Sequence, residues 1–92
     1  MMALKWTSKA IADLERLHAF LASSNKTAAA RAVQTLTAAP RRLVEHPRIG
    51  EKLDEFEPRD VRRLLIGPYE MRYEIQSETI FVLRFWHTRE SR

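Results

Sequence analysis

The sequence predicts an α+β fold in which an N-terminal strand, an antiparallel helix hairpin and a three-stranded antiparallel meander form one sheet. Three observations predict it. Tyr69, Met71, Tyr73 and Ile75 alternate with Glu70, Arg72, Glu74 and Gln76, the period of a half-buried strand. Apolar runs from Val61 to Ile66 and from Thr79 to Trp86 flank that segment, with Gly67-Pro68 between the first two runs. Upstream, apolar residues recur at three- and four-residue intervals, the spacing of helices that bury one face.

Taken in order, Ala3-Leu4-Lys5-Trp6 is a short strand and Thr7 the N-cap of a helix. Trp6 and Ile11 stand at the N′ and N4 positions of a hydrophobic staple. The helix runs from Ser8 to about Ala22, with Ile11, Leu14, Leu17 or His18, and Leu21 on its apolar stripe. Lys9, Asp13 and Arg16 fall on the opposite face. Ser23-Ser24-Asn25 ends it. A second helix starts near Thr27 and buries Ala29, Val33, Leu36, Pro40 and Leu43. Pro40 bends it, and the helix continues to about Glu45, where His46-Pro47 stops it, because a residue before Pro is pushed out of the α region. Its many alanines let the two helices approach closely. Arg48 to Asp60 is irregular and acidic, with Leu53 and Phe56 able to pin it to the core.

In the meander, Gly followed by Pro suits a two-residue type II′ turn. Ile66 then pairs with Tyr69, Leu64 with Met71 and Arg63 with Arg72. The second connection, at Ser77-Glu78, lacks Gly or Asn, so a looser turn is expected. One face, with Leu64, Ile66, Tyr69, Met71, Tyr73 and Ile75, packs on the helices. The other sets Arg63 against Arg72, unfavourable unless an anion or carboxylates compensate. Glu70 and Glu74 share that face and would neutralise the arginines on a solvated surface. In the last strand, strict alternation puts Ile80, Val82, Arg84 and Trp86 on one side and Phe81, Leu83 and Phe85 on the other. Apolar residues on both sides imply an interior strand covered on both faces. Either the Arg48–Asp60 loop covers the second face or a partner does. Arg84 needs a carboxylate or carbonyl there, which makes it a structural ion-pair residue.

Composition narrows the class. The 92 residues, 45% hydrophobic with two Gly, are expected to form one ordered globular domain spanning 1–92. Cys is absent, so disulfide and thiolate chemistry are excluded. No apolar stretch reaches the roughly 18 residues of a membrane span. Met1 to Lys9 lacks the apolar region of a signal peptide, so a cytoplasmic location is expected. The net charge of +4 leans toward an anionic partner, and Arg outnumbers Lys twelve to four. Arginine suits bidentate contacts to phosphate or carboxylate; a GC-rich genome would produce the same bias.

Few side chains offer chemistry. His18, His46 and His87 are dispersed without ligand spacing, so no metal is expected. No glycine-rich phosphate loop or nucleophile elbow is present, and no cofactor is expected. His87, at the end of the last strand near Arg89, has an ordinary pKa close to neutrality.

The order of elements, with its motifs, resembles the RelE/ParE superfamily of toxins from type II toxin–antitoxin systems. The resemblance rests on Lys5-Trp6-Thr7 with Ala10 to Leu14, and on Leu43-Val44-Glu45-His46-Pro47-Arg48-Ile49-Gly50. It continues through Val61 to Tyr69 with Arg72-Tyr73, Val82-Leu83-Arg84 and His87-Thr88-Arg89. It covers nearly the whole chain. The helix hairpin, the His-Pro-Arg-Ile-Gly passage and the closing His-x-Arg place it closer to ParE.

This resemblance implies a cytoplasmic toxin neutralised by a cognate antitoxin in a hetero-oligomer. Its ParE side implies inhibition of DNA gyrase with no chemistry of its own. Its RelE side implies a ribosome-dependent mRNA endoribonuclease, for which Arg63, Arg72, Arg84 and His87 are the candidate catalytic residues. A non-toxic, antitoxin-binding member is the third alternative. Partner contacts are expected at Arg63, Arg72, Phe81, Phe85, His87 and Arg89.

Overall fold

A computed structural model of the chain describes residues 1–90. Strand β1 (Ala3–Trp6) leads into α1 (Ser8–Ala22) and α2 (Lys26–Ala38). A 3₁₀ turn (Ala39–Arg41) and the short α3 (Arg42–Glu45) follow. The remainder is β2 (Glu51–Lys52), a second 3₁₀ turn (Asp54–Phe56), β3 (Asp60–Ile66), β4 (Tyr69–Gln76) and β5 (Thr79–His87). The five-stranded sheet has the order β1-β5-β4-β3-β2. β1 lies parallel to β5, and every other pairing is antiparallel. β5 is therefore interior, as its two-sided apolar pattern predicts.

The helix boundaries follow from their caps. Thr7 accepts a hydrogen bond from the Ala10 amide and donates its hydroxyl to the Val82 carbonyl, tying the start of α1 to β5. Asn25 caps α2 in the same way through the Ala28 amide. Pro40 converts one turn to 3₁₀ geometry instead of ending the helical run, which resumes until His46 leaves helical dihedrals before Pro47. Ala29, Leu36, Pro40 and Leu43 are buried along the expected stripe. The core joins these helices to one sheet face through Ala10, Leu17, Leu36, Leu43, Met71, Tyr73, Ile80, Val82 and Phe85.

Several expectations are corrected. The buried face of α1 is Ala10, Asp13 and Leu17, whereas Ile11 and His18 are exposed. The staple is replaced by Trp6 stacking on Phe85, with ring centroids 5.5 Å apart. Loop 48–60 contains β2, which is only two residues long and carries no periodicity. The second turn of the meander is as tight as the first: Gln76 pairs with Thr79, and Ser77 takes the left-handed conformation with φ 54°.

The correction with most consequence concerns β5. Arg72 pairs with Arg84 but Tyr73 pairs with Val82, so Leu83 is an extra residue, a β-bulge. Beyond it the side-chain parity reverses. Phe85 joins Ile80 and Val82 on the helix side, and Arg84 and Trp86 join Phe81 on the outer face.

Candidate functional site

The outer face is built from rows that cross the strands. One row runs Glu51, Arg63, Arg72 and Arg84 across β2, β3, β4 and β5. Three adjacent arginines would repel, and carboxylates hold them. Glu51 accepts from Arg63 Nε at 2.6 Å at one end. Glu70, 1% exposed, lies 3.7 Å from Arg63 and 3.2 Å from Arg72. At the other end Asp13 takes both Arg84 Nε, at 2.7 Å, and Nη2, at 3.1 Å. Three carboxylates thus offset three guanidinium groups. The glutamates do neutralise the arginines, but Glu70 and Glu74 are buried and not solvated.

Aromatic rings complete this surface. The Arg72 guanidinium lies 5.4 Å from the Phe56 ring centroid and 4.7 Å from that of Trp86, a cation held between two π-faces. Phe56 comes from the second 3₁₀ turn, so loop 48–60 covers part of the outer face. Arg59 from the same loop binds Glu74 through Nε and Nη2. That bond holds the Glu74 carboxyl below its usual range against the opposing effect of burial. Leu65 remains exposed and Phe81 half-buried.

Asp13 also closes an edge. β1 stops opposite Val82, so beyond the bulge β5 has no strand partner on that edge; Asp13 accepts from the Phe85 amide at 3.0 Å instead. Burial pushes the Asp13 carboxyl up, but bonds from Arg84, the Phe85 amide and Arg16 outweigh it and hold the group below the usual carboxylate range. Sequence pattern placed Asp13 on the solvent face. Its neighbours Ala10, Leu14 and Leu17 carried the available signal.

His87 stands elsewhere. It pairs with Tyr69 on the helix side, edge-on to that ring at 5.4 Å, and its Nδ1 accepts from the Arg89 amide. With Arg16, Leu17, Phe20, Leu21, Arg89 and Glu90 these residues line a groove of about 550 Å³ between α1 and the end of the meander. Glu90 binds both the His87 amide and Arg16, fastening the chain after β5 to α1. Of the expected site residues, Arg63, Arg72 and Arg84 share one row, Phe81 lies on the same face, and His87 and Arg89 lie apart from it. Phe85 is corrected: the bulge turns it inward and it is fully buried. Among the described residues no group of three His, Asp or Glu side chains is placed to hold a metal ion, and no helix is long and apolar enough to cross a membrane.

A helical hairpin on one face of a meander, with a parallel N-terminal strand beside it, defines a RelE/ParE-type protein. Residues 4–92 match the family described as ParE toxin of type II toxin–antitoxin system, parDE, and the chain belongs to that family. Its structure is similar to that of the chromosomal ParDE TA system from P. aeruginosa, with a TM-score of 0.80 and 28% identity over 95% of this chain and 96% of the other. Comparison with curated proteins gave no significant match. As a toxin of such a pair, the protein has an antitoxin as its partner.

Proposed function

We propose that this toxin acts by inhibiting DNA gyrase and is neutralised when its antitoxin covers the outer sheet face. The observation that carries the gyrase reading is the separation of His87 from the arginine row. A ribonuclease of the RelE kind needs a proton-transfer group and a phosphate-binding cation on one substrate phosphate. Here His87 faces α1, in a groove that also holds Arg89 and Arg16, the latter tied to Asp13 and Glu90, while the three arginines of the row lie on the opposite side, each held by a carboxylate. Membership in the ParE family favours the same reading.

For the antitoxin, exposed Leu65, in the row of Trp86, and half-buried Phe81, in the row of Val61, supply apolar points on either side of the strip formed by the arginine row. An extended amphipathic segment fits such a strip. Arg72→Glu is a poor probe, because it would set a new carboxylate beside buried Glu70. Leu65→Arg keeps the fold and should weaken the complex at least tenfold in a titration at physiological salt; unchanged affinity would remove this face from the interface.

The test of activity uses purified toxin in two assays. Gyrase supercoiling should be inhibited while mRNA in a translating extract stays intact, and His87→Ala should retain the inhibition. Ribosome-dependent cleavage with gyrase unaffected would replace this reading by the nuclease, for which His87→Ala would lose roughly 10²–10⁴-fold in rate.

A further inference from the structure

The net charge of +4 is not distributed over the molecule. Residues 24–50 hold five basic side chains, Lys26, Arg31, Arg41, Arg42 and Arg48, against one acid, Glu45; the remainder carries eleven of each sign. The pairing follows the same division except at Arg89, which forms no ion pair among the described residues. Six arginines in β3, β4, β5, α1 and the loop before β3 are held in ion pairs: Arg16, Arg59, Arg62, Arg63, Arg72 and Arg84. Among the described residues, no ion pair involves Arg31, Arg41, Arg42 or Arg48, and Glu45 forms none either, although it lies one turn from Arg41 and Arg42.

Arg31, Arg41 and Arg42 lie on the helical run, and Arg48 in the turn that follows it. Arg31 lies on α2 and Arg42 opens α3, with the 3₁₀ turn that carries Arg41 between them. The exposed residues between Arg31 and Arg41 are Gln34, Thr35, Thr37 and Ala38, all small or polar. A protein partner draws most of its binding energy from buried apolar anchors, and the helical part of this surface provides none; Ile49, beside Arg48 at its end, is the large apolar side chain exposed next to it. The surface does provide exposed guanidinium groups that no carboxylate holds, which suits contact with an array of phosphates.

We propose that the exposed face of α2, the 3₁₀ turn and α3, with Arg31, Arg41, Arg42 and Arg48, binds the phosphate backbone of duplex DNA without sequence preference. The choice of duplex DNA rests on the gyrase reading, since gyrase is engaged with DNA when it is poisoned. The surface lies on the helical layer, away from the outer sheet face assigned to the antitoxin.

The experiment is fluorescence anisotropy of a labelled 20-base-pair duplex of arbitrary sequence, titrated with the full chain and without gyrase. If about three phosphates are neutralised, affinity should fall about 40-fold between 50 and 200 mM salt. Arg41→Glu/Arg42→Glu/Arg48→Glu should abolish binding with an unchanged thermal melt, while Leu65→Arg on the sheet should bind as the parent does. No binding at 50 mM salt, equal loss with the sheet variant, or tighter binding to single-stranded RNA of the same length would overturn the proposal. Loss of antitoxin affinity in the triple variant with duplex binding intact would also overturn it, in favour of an acidic protein partner. Duplex binding by a chain that leaves supercoiling untouched would support this surface while removing the gyrase reading.

Discussion

At the scale of single residues, the passage His46–Gly50 shows why a short motif can be demanding. The Tyr73 hydroxyl donates to the Pro47 carbonyl at 2.8 Å and accepts from the Gly50 amide at 2.9 Å. Arg62 adds a bond to the Gly50 carbonyl. A Cβ on residue 50 would sit 2.6 Å from the Tyr73 hydroxyl oxygen and 2.7 Å from the Arg63 carbonyl. The second contact is to backbone and cannot swing away. Gly50→Ala should therefore lose about 1–3 kcal/mol in urea unfolding, the usual cost of overpacking. Tyr73→Phe, which leaves the buried Gly50 amide without its acceptor, should cost a similar amount, about 1–3 kcal/mol. An unchanged midpoint in either variant would mean the clamp contributes nothing.

Among elements, the bulge at Leu83 decides which aromatic side chains the outer face displays. With strict alternation Phe85 would be outside and Trp86 inside; the inserted residue exchanges them and brings Trp86 over Arg72. The turn after β4 carries a cost of its own. Ser77 holds φ 54°, a region that disfavours side chains with a Cβ. Ser77→Gly should relieve that strain, offset in part by the greater freedom of Gly in the unfolded chain. The expected net gain is about 0.5 kcal/mol, a rise of roughly 2–4 °C in Tm for a chain of this size. A fall in Tm would show that the Ser77 conformation is not limiting.

Across the whole molecule, burial of paired carboxylates makes stability depend on acid. Asp13 and Glu74 both have folded-state pKa values below their ordinary ones of about 3.9 and 4.3. Such groups contribute fully above the ordinary values, and the contribution is lost as pH falls through the lower, folded values. The denaturation midpoint should hold steady from neutral pH to about 5 and drop below about 4. In Asp13→Asn, whose amide oxygen can still accept from the Phe85 amide, the neutral-pH midpoint should be lower and the acid drop shallower. A parallel acid profile in parent and variant would remove Asp13 as a source of the effect.

Much of the fold was legible in the sequence because it depends on local periodicity. The alternation of Tyr69 to Ile75 set that strand's faces, Gly67-Pro68 set the pairing of Ile66 with Tyr69, and Thr7 and His46-Pro47 marked helix ends. The resemblance carried by scattered motifs agreed with the family match. Where local pattern is silent, tertiary structure decided. β2 is too short to show a period. The bulge changes parity without any Gly to announce it. Asp13 is buried because β1 ends one residue before α1 begins, leaving the Phe85 amide of β5 in need of an acceptor. The need arises only once the strands are paired. For the same reason, composition could count twelve arginines but could not say which were paired. Six are held by carboxylates that lie two to seventy-four positions away in the chain. Among the described residues Arg31, Arg41, Arg42 and Arg48 form no ion pair, nor does Arg89 after β5, because ion pairs join groups close in space and not groups close in sequence.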